Sequence, residues 1–360
     1  MGQFKEFVGR YADALSPNVP WWAYVVTAAV AIGWVGVVST TWVFLGTAAF
    51  ITSIAALGLL VLVGWGGEVS LAHAALLGTA VYVSGYAMRN DGFGWPFLAA
   101  GALGIAVAVG LSALVSLPTA KLSGIYVMVL TLGLQVTIER TIFTNSKLSG
   151  GVESRYVTRP HLLGLSFDSD RAYYYLVLGV LVLTLLGLTL FRRSRHGRAL
   201  MIVGTDRRAA AAMGISPWWY KILAFLIAGG LAGVAGALTT PLYRSPPTSL
   251  QYISVQSLFL LAIPVTAGFE SLTGVVVVAL VFTMTPHAVA AIGEVSPLIL
   301  AGVGLTLGTY IGPGGFSGVL LDALRAKREG AILARIRQEA PAHVDVEAQY
   351  LTVVAQESAR

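Results

Sequence analysis

Apolar stretches of about 20 residues recur along the chain, and they constrain the fold more than any other feature. A helix of that length crosses the hydrocarbon core of a bilayer. The stretches are continuously apolar, whereas the strands of a transmembrane barrel alternate apolar and polar residues. Because only helices and closed barrels satisfy every backbone group in lipid, the sequence predicts an all-α integral membrane protein.

Ten apolar segments are the predicted transmembrane helices. They cover residues 21–39, 41–64, 69–88, 96–117, 124–143, 172–191, 219–240, 251–267, 272–292 and 296–310. The third and the last are short or interrupted by glycine, so we expect 8–10 complete spans, with the remainder broken or re-entrant. The pattern therefore predicts one transmembrane domain over residues 1–320, followed by a charged cytoplasmic tail over residues 321–360.

The distribution of positive charge predicts how the chain is oriented. Most of the 23 Lys and Arg residues fall in one set of alternate loops, and cytoplasmic loops carry such an excess. Both termini are then cytoplasmic. The long loop at residues 192–218 is cytoplasmic as well, and the one at 144–171 is external. The net charge of +6 resides in these loops, so no nucleic-acid partner is expected.

Motifs that would make the chain an enzyme do not occur in the sequence. None of its lysines follows a glycine, so the chain lacks the Gly-Lys-Ser/Thr end of a phosphate-binding loop. It has no cysteine, and its five histidines are scattered outside any HExxH pattern. We therefore expect no enzyme activity, metal or cofactor in this chain. If ATP drives it, ATP and Mg bind on a separate chain.

The cytoplasmic loop contains the signals of a short helix over residues 206–213. Thr205 is the predicted N-cap, and Asp206 suits the positive end of the helix dipole. Alanines 209–212 favour helix, Gly214 suits the C′ position, and Ser216-Pro217 begins the next span. Four alanines cannot anchor a hydrophobic core, but they can lie close in a partner's groove. The helix is thus predicted to dock, with a plain connecting helix as the alternative.

A second element, Gly66-Gly67-Glu68-Val69-Ser70, interrupts the apolar pattern. Paired glycines break a helix, and Ser70 could cap the restart. A break at membrane depth would line a cavity, whereas a cytoplasmic turn between two complete spans would have no such role. The burial of Glu68 distinguishes the two interpretations. A buried glutamate would be functional, whereas a glutamate in a cytoplasmic turn would only be solvated.

Other polar and small residues in the spans have two possible roles each. His73 is either a hydrogen-bonded histidine between helices or a proton relay or ligand. Tyr126, Thr131 and Gln135 make the fifth segment polar, and Thr131 and Gln135 share a helix face. They could line a path or bond between helices. Small-residue rows, such as Gly229-x-x-x-Gly233, indicate close helix packing, in this chain or against a second subunit.

Several of these stretches are similar to those of LivM-type permeases, the membrane subunits of branched-chain amino-acid ABC importers. GRALMIVGTDRRAAAAMGISPWWYKILAFLIAGGLAGVAGAL resembles the family's coupling loop and next helix, and VGWGGEVSLAHAALLGTAVY its Gly-rich segment. LSGIYVMVLTLGLQ, LSGG, SLFLLAIPVTAGFESLTG and GPGGFSGVL resemble further family segments. The resemblance covers about residues 57–320. Departures include Glu68 where the family usually has Gln, Ala72 for Gly and Ser123 for Arg.

The resemblance implies an ABC importer permease in the cell membrane, which works with a second LivH-type permease, two ATPase subunits and a soluble substrate-binding protein. The residues expected to couple to an ATPase are Asp206, Arg207, Arg208, Ala211, Ala212, Met213 and Gly214. Those expected to line the substrate path are Gly66, Gly67, Glu68, Ser70, His73, Tyr126, Thr131 and Gln135. Permeases of this family also serve urea and short amides, and a secondary transporter or channel working without an ATPase is the further alternative.

Overall fold

Long apolar helices that run back and forth make up nearly all of the described structure, as the apolar segments predict. The computed structural model describes Gly33 and residues 35–36, 38–89, 92–119, 122, 124–143, 159, 161–162, 165–244, 252, 254–269, 271–288, 299, 302–304 and 306. Apart from Gly33, these residues belong to one compact unit within residues 34–316. Most of the first and last predicted spans, and the tail at 321–360, lie outside the described residues.

The described helices are numbered here in chain order. They are α1 Thr40–Leu59, α2 His73–Met88, α3 Phe97–Thr119, α4 Ile125–Ile138, α5 Asp170–Arg193, α6 Arg195–Thr205, α7 Arg207–Ala212, α8 Pro217–Tyr243, α9 Ser254–Ala267 and α10 Leu272–Ala288. Helix α1 continues as a π-helix, Leu60–Trp65, and α4 continues as another, Glu139–Phe143. A hairpin of two-residue strands, β1 His161–Leu162 and β2 Leu165–Ser166, lies within the predicted external loop.

Five of these elements are long and apolar enough to cross a membrane. They are Thr40–Trp65, Phe97–Thr119, Ile125–Phe143, Asp170–Arg193 and Pro217–Tyr243. Helices α9 and α10 are shorter apolar helices, and α2 has 16 residues. The all-helical membrane class is therefore confirmed, whereas the count of 8–10 spans and the position of the termini remain predictions.

Helix α8 lies at the centre of the described bundle, packed against α1, α2 and α3. Its glycine row allows this packing. A Cβ on Gly229 would lie 2.4 Å from the Ser112 Cβ, and one on Gly236 would lie 2.5 Å from the Leu77 carbonyl oxygen. The Ser112 hydroxyl donates to the Phe225 carbonyl at 2.5 Å across the same contact. The row therefore packs helices of this chain together.

Most of the basic residues described lie together where α5 ends, α6 and α7 follow, and α8 begins; we call this the basic end of the bundle. Arg192 and Arg193 occupy the last turn of α5, where cations suit the helix dipole. The chain then bends at Ser194, whose hydroxyl accepts from the Gly197 N–H at 3.1 Å and caps α6. Two short helices thus connect two long ones at this end.

Candidate functional site

Two features meet at the basic end: the short alanine-rich helix α7 and the glycine break after α1. The helix predicted over residues 206–213 is present as Arg207–Ala212. Its N-cap is Asp206, whose carboxylate accepts from the Arg208 N–H at 2.8 Å and the Ala209 N–H at 3.1 Å. The prediction of Thr205 as N-cap is wrong. Thr205 ends α6, and its hydroxyl bonds to the Met201 carbonyl at 2.9 Å.

Both ends of α7 are closed by local hydrogen bonds. Gly214 has a φ of 75°, in the left-handed region that favours glycine. The N–H groups of Gly214 and Ile215 then bond to the Ala211 and Ala210 carbonyls, each at 3.0 Å, as at a helix C-terminus closed by glycine. The glycine C′ prediction is confirmed, and a helix of only 6 residues is held in shape by its caps.

The N-cap is insensitive to pH in the neutral range. Hydrogen bonds from the N–H groups of Ala209 and Arg208 hold the pKa of the exposed Asp206 carboxyl below its usual value. A carboxyl with a lowered folded-state pKa stabilises the fold while ionised and loses that contribution only as the pH falls through that pKa. The cap of α7 is therefore intact at any physiological pH.

One face of α7 is open. Ala210 is fully buried against the protein, whereas Ala211, Ala212 and Met213 are exposed, with Met213 at 64%. The exposed face thus combines small side chains and one flexible thioether with the side chain of Arg208, which is also exposed and lies one turn before the two alanines. A surface of this shape can approach a partner closely, as the predicted docking requires.

The glycine break packs directly against the end of α6. Gly67 has a φ of 66°, and a Cβ placed on it would lie 2.7 Å from the Gly204 carbonyl oxygen. A Cβ on Gly204 would in turn lie 2.2 Å from the Trp65 carbonyl oxygen. These two backbones therefore touch without intervening side chains, which only glycine permits. The break is therefore in direct contact with the end of α6, the helix that precedes α7.

Residues 67–72 are not helical, and α2 begins only at His73. The His73 Nε2 atom lies 2.8 Å from the Ala55 carbonyl oxygen. Ala55 precedes the end of the π-helix at Trp65 by about three turns, roughly 15 Å along the axis. The turn itself is thus at the basic end, and α2 starts at depth within the bundle. Whether the break lines a cavity stays a prediction.

Side chains satisfy the backbone at the start of α2. Just before the helix, the Leu71 N–H donates to Thr131 Oγ1 at 3.0 Å and the Ala72 N–H donates to Ser70 Oγ at 3.3 Å. In its first turn, the Ala74 N–H donates to Ser257 Oγ at 3.0 Å and the Ala75 N–H donates to Gln135 Oε1 at 2.7 Å. The Gln135 amide also donates to the Tyr252 carbonyl at 2.9 Å. The shared face of Thr131 and Gln135 is therefore turned to α2, and both bond between elements.

Two residues of the predicted path have environments of their own, and one polar residue near them was not predicted. His73 is buried and bonded to α1, which is the environment of a hydrogen-bonded histidine between helices. Tyr126 is 67% exposed and does not join Thr131 and Gln135. Sequence reasoning missed Ser257, which sits between Ala74 and Gln135, because a single serine in an apolar segment carries no distinctive pattern.

Glu68 is the charged group that connects the two features. It is 1% exposed, which matches the case in which a buried glutamate has a function. Its Oε1 atom contacts the guanidinium of Arg207, the first residue of α7, and lies 2.7 Å from Lys221 Nζ on α8. Lys221 Nζ also donates to the Leu122 carbonyl at 2.6 Å. We call Glu68, Arg207 and Lys221 the Glu68 triad.

A metal site is not formed by the described residues, among which no three His, Asp or Glu side chains converge. Glu139, a second acidic residue of the spans, instead accepts from the N–H and hydroxyl of Ser254, at 3.1 and 2.9 Å, where α9 begins. Its role is that of a helix cap.

The fold and this site define a class: a multi-pass α-helical membrane protein, with a short capped helix presented at its basic end. The sequence profile described as branched-chain amino acid transport system / permease component matches residues 41–307, and the chain belongs to this family.

Two curated proteins are similar to the chain over much of its length. The high-affinity branched-chain amino acid transport system permease protein LivM of Salmonella typhimurium is 28% identical over 300 residues, which are 76% of this chain and 69% of the relative. LivM of Escherichia coli is 28% identical over 299 residues, with the same coverage. A solved structure, PsaBC from Streptococcus pneumoniae in complex with Fab, shares 17% identity over 80% of this chain and 97% of that chain, with a TM-score of 0.46.

Proposed function

We propose that this chain is the transmembrane permease subunit of an ABC importer that moves branched-chain amino acids, or a related small polar solute, into the cytoplasm. The observation that carries the proposal is the open alanine face of α7. The chain belongs to a permease family, and its own sequence has no phosphate-binding loop. ATP hydrolysis then takes place on partner ATPases, and α7 is the part of this chain that they engage.

The proposed assembly has four kinds of protein besides the lipid bilayer and the solute. This chain pairs with a second, LivH-type permease, and the pair encloses a central path. Two ATPase subunits grip the basic ends of the pair, and a soluble binding protein delivers the solute from outside. Closing of the ATPases on ATP pushes α7, and the path opens alternately to the two sides of the membrane.

The proposed orientation places the basic end in the cytoplasm, because cytoplasmic segments carry the excess of Lys and Arg. The chain has no cysteine, so single cysteines can report the sidedness. We expect Arg195→Cys, at the start of α6, to resist impermeant thiol reagents in intact cells and to react after permeabilisation. Phe93→Cys, between α2 and α3, should react in intact cells, because Phe93 is 56% exposed. The reverse labelling pattern would contradict the orientation.

A secondary transporter or channel is the alternative of a different class, and a permease for urea or short amides is the alternative within the family. Coupling ions in a transporter need carboxylates in mid-membrane. The described carboxylates in the spans or at the break are Glu68, Glu139 and Asp170. They are held by Arg207 with Lys221, by Ser254 and by Arg159, respectively. This arrangement favours the ATP-driven importer.

Transport by the reconstituted importer tests the proposal and names the solute. The chain would be purified with its proposed partner permease, ATPases and binding protein, and placed in proteoliposomes with ATP on the ATPase side. We expect uptake of radiolabelled leucine that requires both ATP and the binding protein. Uptake of urea or acetamide instead would identify the amide alternative, and uptake without ATP would overturn the importer.

A further inference from the structure

We propose that the Glu68 triad is the mechanical link that carries movement of α7 to the start of α2. This inference rests on the proposed function, and it assigns Glu68 and Arg207 as positioning residues. Glu68 then lies outside the surface that contacts the solute, contrary to the expectation that it lines the path.

The first step of the link is the ion pair between α7 and the break. Arg207 is the first residue of α7, and its side chain is 36% exposed, whereas that of Glu68 is 1% exposed. The pair therefore reaches from the surface of the basic end into the protein. An ion pair inside protein is screened much less than one in water. If Arg207 is displaced, its attraction therefore pulls Glu68 in the same direction.

The second step is the backbone contact between Gly67 and Gly204. Gly204 lies in the last turn of α6, and Asp206 is the single residue between α6 and α7. The Gly67 backbone is in contact there with no side chain to yield. A push on α7 that moves the end of α6 must therefore also move residues 66–68. When α7 moves away from the break, the Glu68–Arg207 salt bridge pulls the break after it. When α7 moves towards the break, the Gly67–Gly204 contact pushes the break ahead of it.

The third step leads from residues 67–72 into α2. This segment runs into α2 at His73. A side chain of α4 holds one of its N–H groups, and side chains of α4 and α9 hold N–H groups in the first turn of α2. Thr131 and Gln135 belong to α4, and Ser257 belongs to α9. Displacement of the segment therefore alters the junction of three elements deep in the bundle.

Lys221 fixes the other end of the link. It lies on α8, the central helix, and its ammonium is shared between Glu68 and the Leu122 carbonyl. Glu68 thus has one partner on the element that moves and one on the element that stays. Replacing Arg207 leaves Glu68 paired with Lys221, so such a variant removes the link without leaving a buried charge unpaired.

A double-mutant cycle on the assembled importer tests the link. The variants are Arg207→Ala, Glu68→Gln and the double variant, with Arg195→Gln as a control that removes an exposed arginine elsewhere at the basic end. The measurements are ATPase co-purification, ATP hydrolysis and leucine uptake in proteoliposomes. We expect each single variant to keep its ATPase and to hydrolyse ATP, but to move at least tenfold less leucine per ATP. The double variant should be no worse than either single variant.

The other results each overturn the link. If both single variants transport as well as Arg195→Gln, the triad has no role in coupling. If their losses multiply in the double variant, the two residues act independently. If Arg207→Ala releases the ATPase while Glu68→Gln does not, Arg207 serves docking alone. If the ATPase fails to co-purify with the unmodified chain, the proposed function itself is wrong, and that outcome is distinct from all of these.

Discussion

Ala211→Glu and Ala212→Glu are each expected to detach the ATPase and stop transport, while the permease still inserts into the membrane. Both alanines lie on the exposed face of α7, so a glutamate there is solvated in the free permease, one turn from the exposed Arg208. In the docked complex it would place an unpaired carboxylate in a close contact, at a cost of about 3–5 kcal/mol. Such a cost weakens binding by roughly a hundredfold or more.

Co-purification of the ATPase with tagged permease, together with uptake in proteoliposomes, measures this effect. Arg195→Glu is the matched control, because it introduces a carboxylate at the first position of α6, where the helix dipole favours it. The control should keep its ATPase. If both alanine variants keep the ATPase and full uptake, α7 is only a connector, and the importer proposal loses its structural support.

Gly67→Leu is expected to reduce uptake to less than a tenth of the normal rate at a normal level of protein in the membrane. A leucine at a φ of 66° carries a strain of about 1–2 kcal/mol. Its Cβ would also lie 2.7 Å from the Gly204 carbonyl oxygen and 3.1 Å from the Gly204 Cα. Because backbone cannot yield as a flexible side chain can, the end of α6 must move away from the break.

Gly94→Leu separates the strain from the contact. Gly94 has a similar φ of 63°, but no atom lies within 4 Å of a Cβ placed on it. That variant should therefore transport at close to the normal rate. Equal losses in both variants would mean that backbone strain alone explains the effect, and normal uptake by Gly67→Leu would show that the contact with Gly204 is dispensable.

The sequence was sufficient for the elements with local signals. Apolar length predicted the membrane-crossing helices, and the Ala run with Gly214 predicted α7 and the glycine that ends it. Helix α6 was missed, although Ala199, Leu200 and Val203 follow a helical period on its buried face. Its polar beginning, Arg195-His196-Gly197, resembles a loop when the residues are read without their tertiary contacts.

The Glu68 triad could not be predicted, because its members are far apart in the sequence and the ion pair forms only in the folded chain. Glu68 follows α1, Arg207 begins α7, and Lys221 lies on α8. The start of α2 was placed at residue 69 and lies at His73 instead. Val69 and Leu71 are as apolar as helix residues would be, so hydropathy cannot show that the chain there is not helical.

The non-helical segment at residues 67–72 differs in cooperativity from the helices around it. Hydrogen bonds within a helix form and break as a run, since each depends on the conformation of its neighbours. The N–H groups of Leu71 and Ala72 are instead bonded to the separate hydroxyls of Thr131 and Ser70. Each such bond contributes about 0.5–1.5 kcal/mol and can be exchanged singly. The bundle can therefore change shape at this segment in small steps, without unwinding a helix.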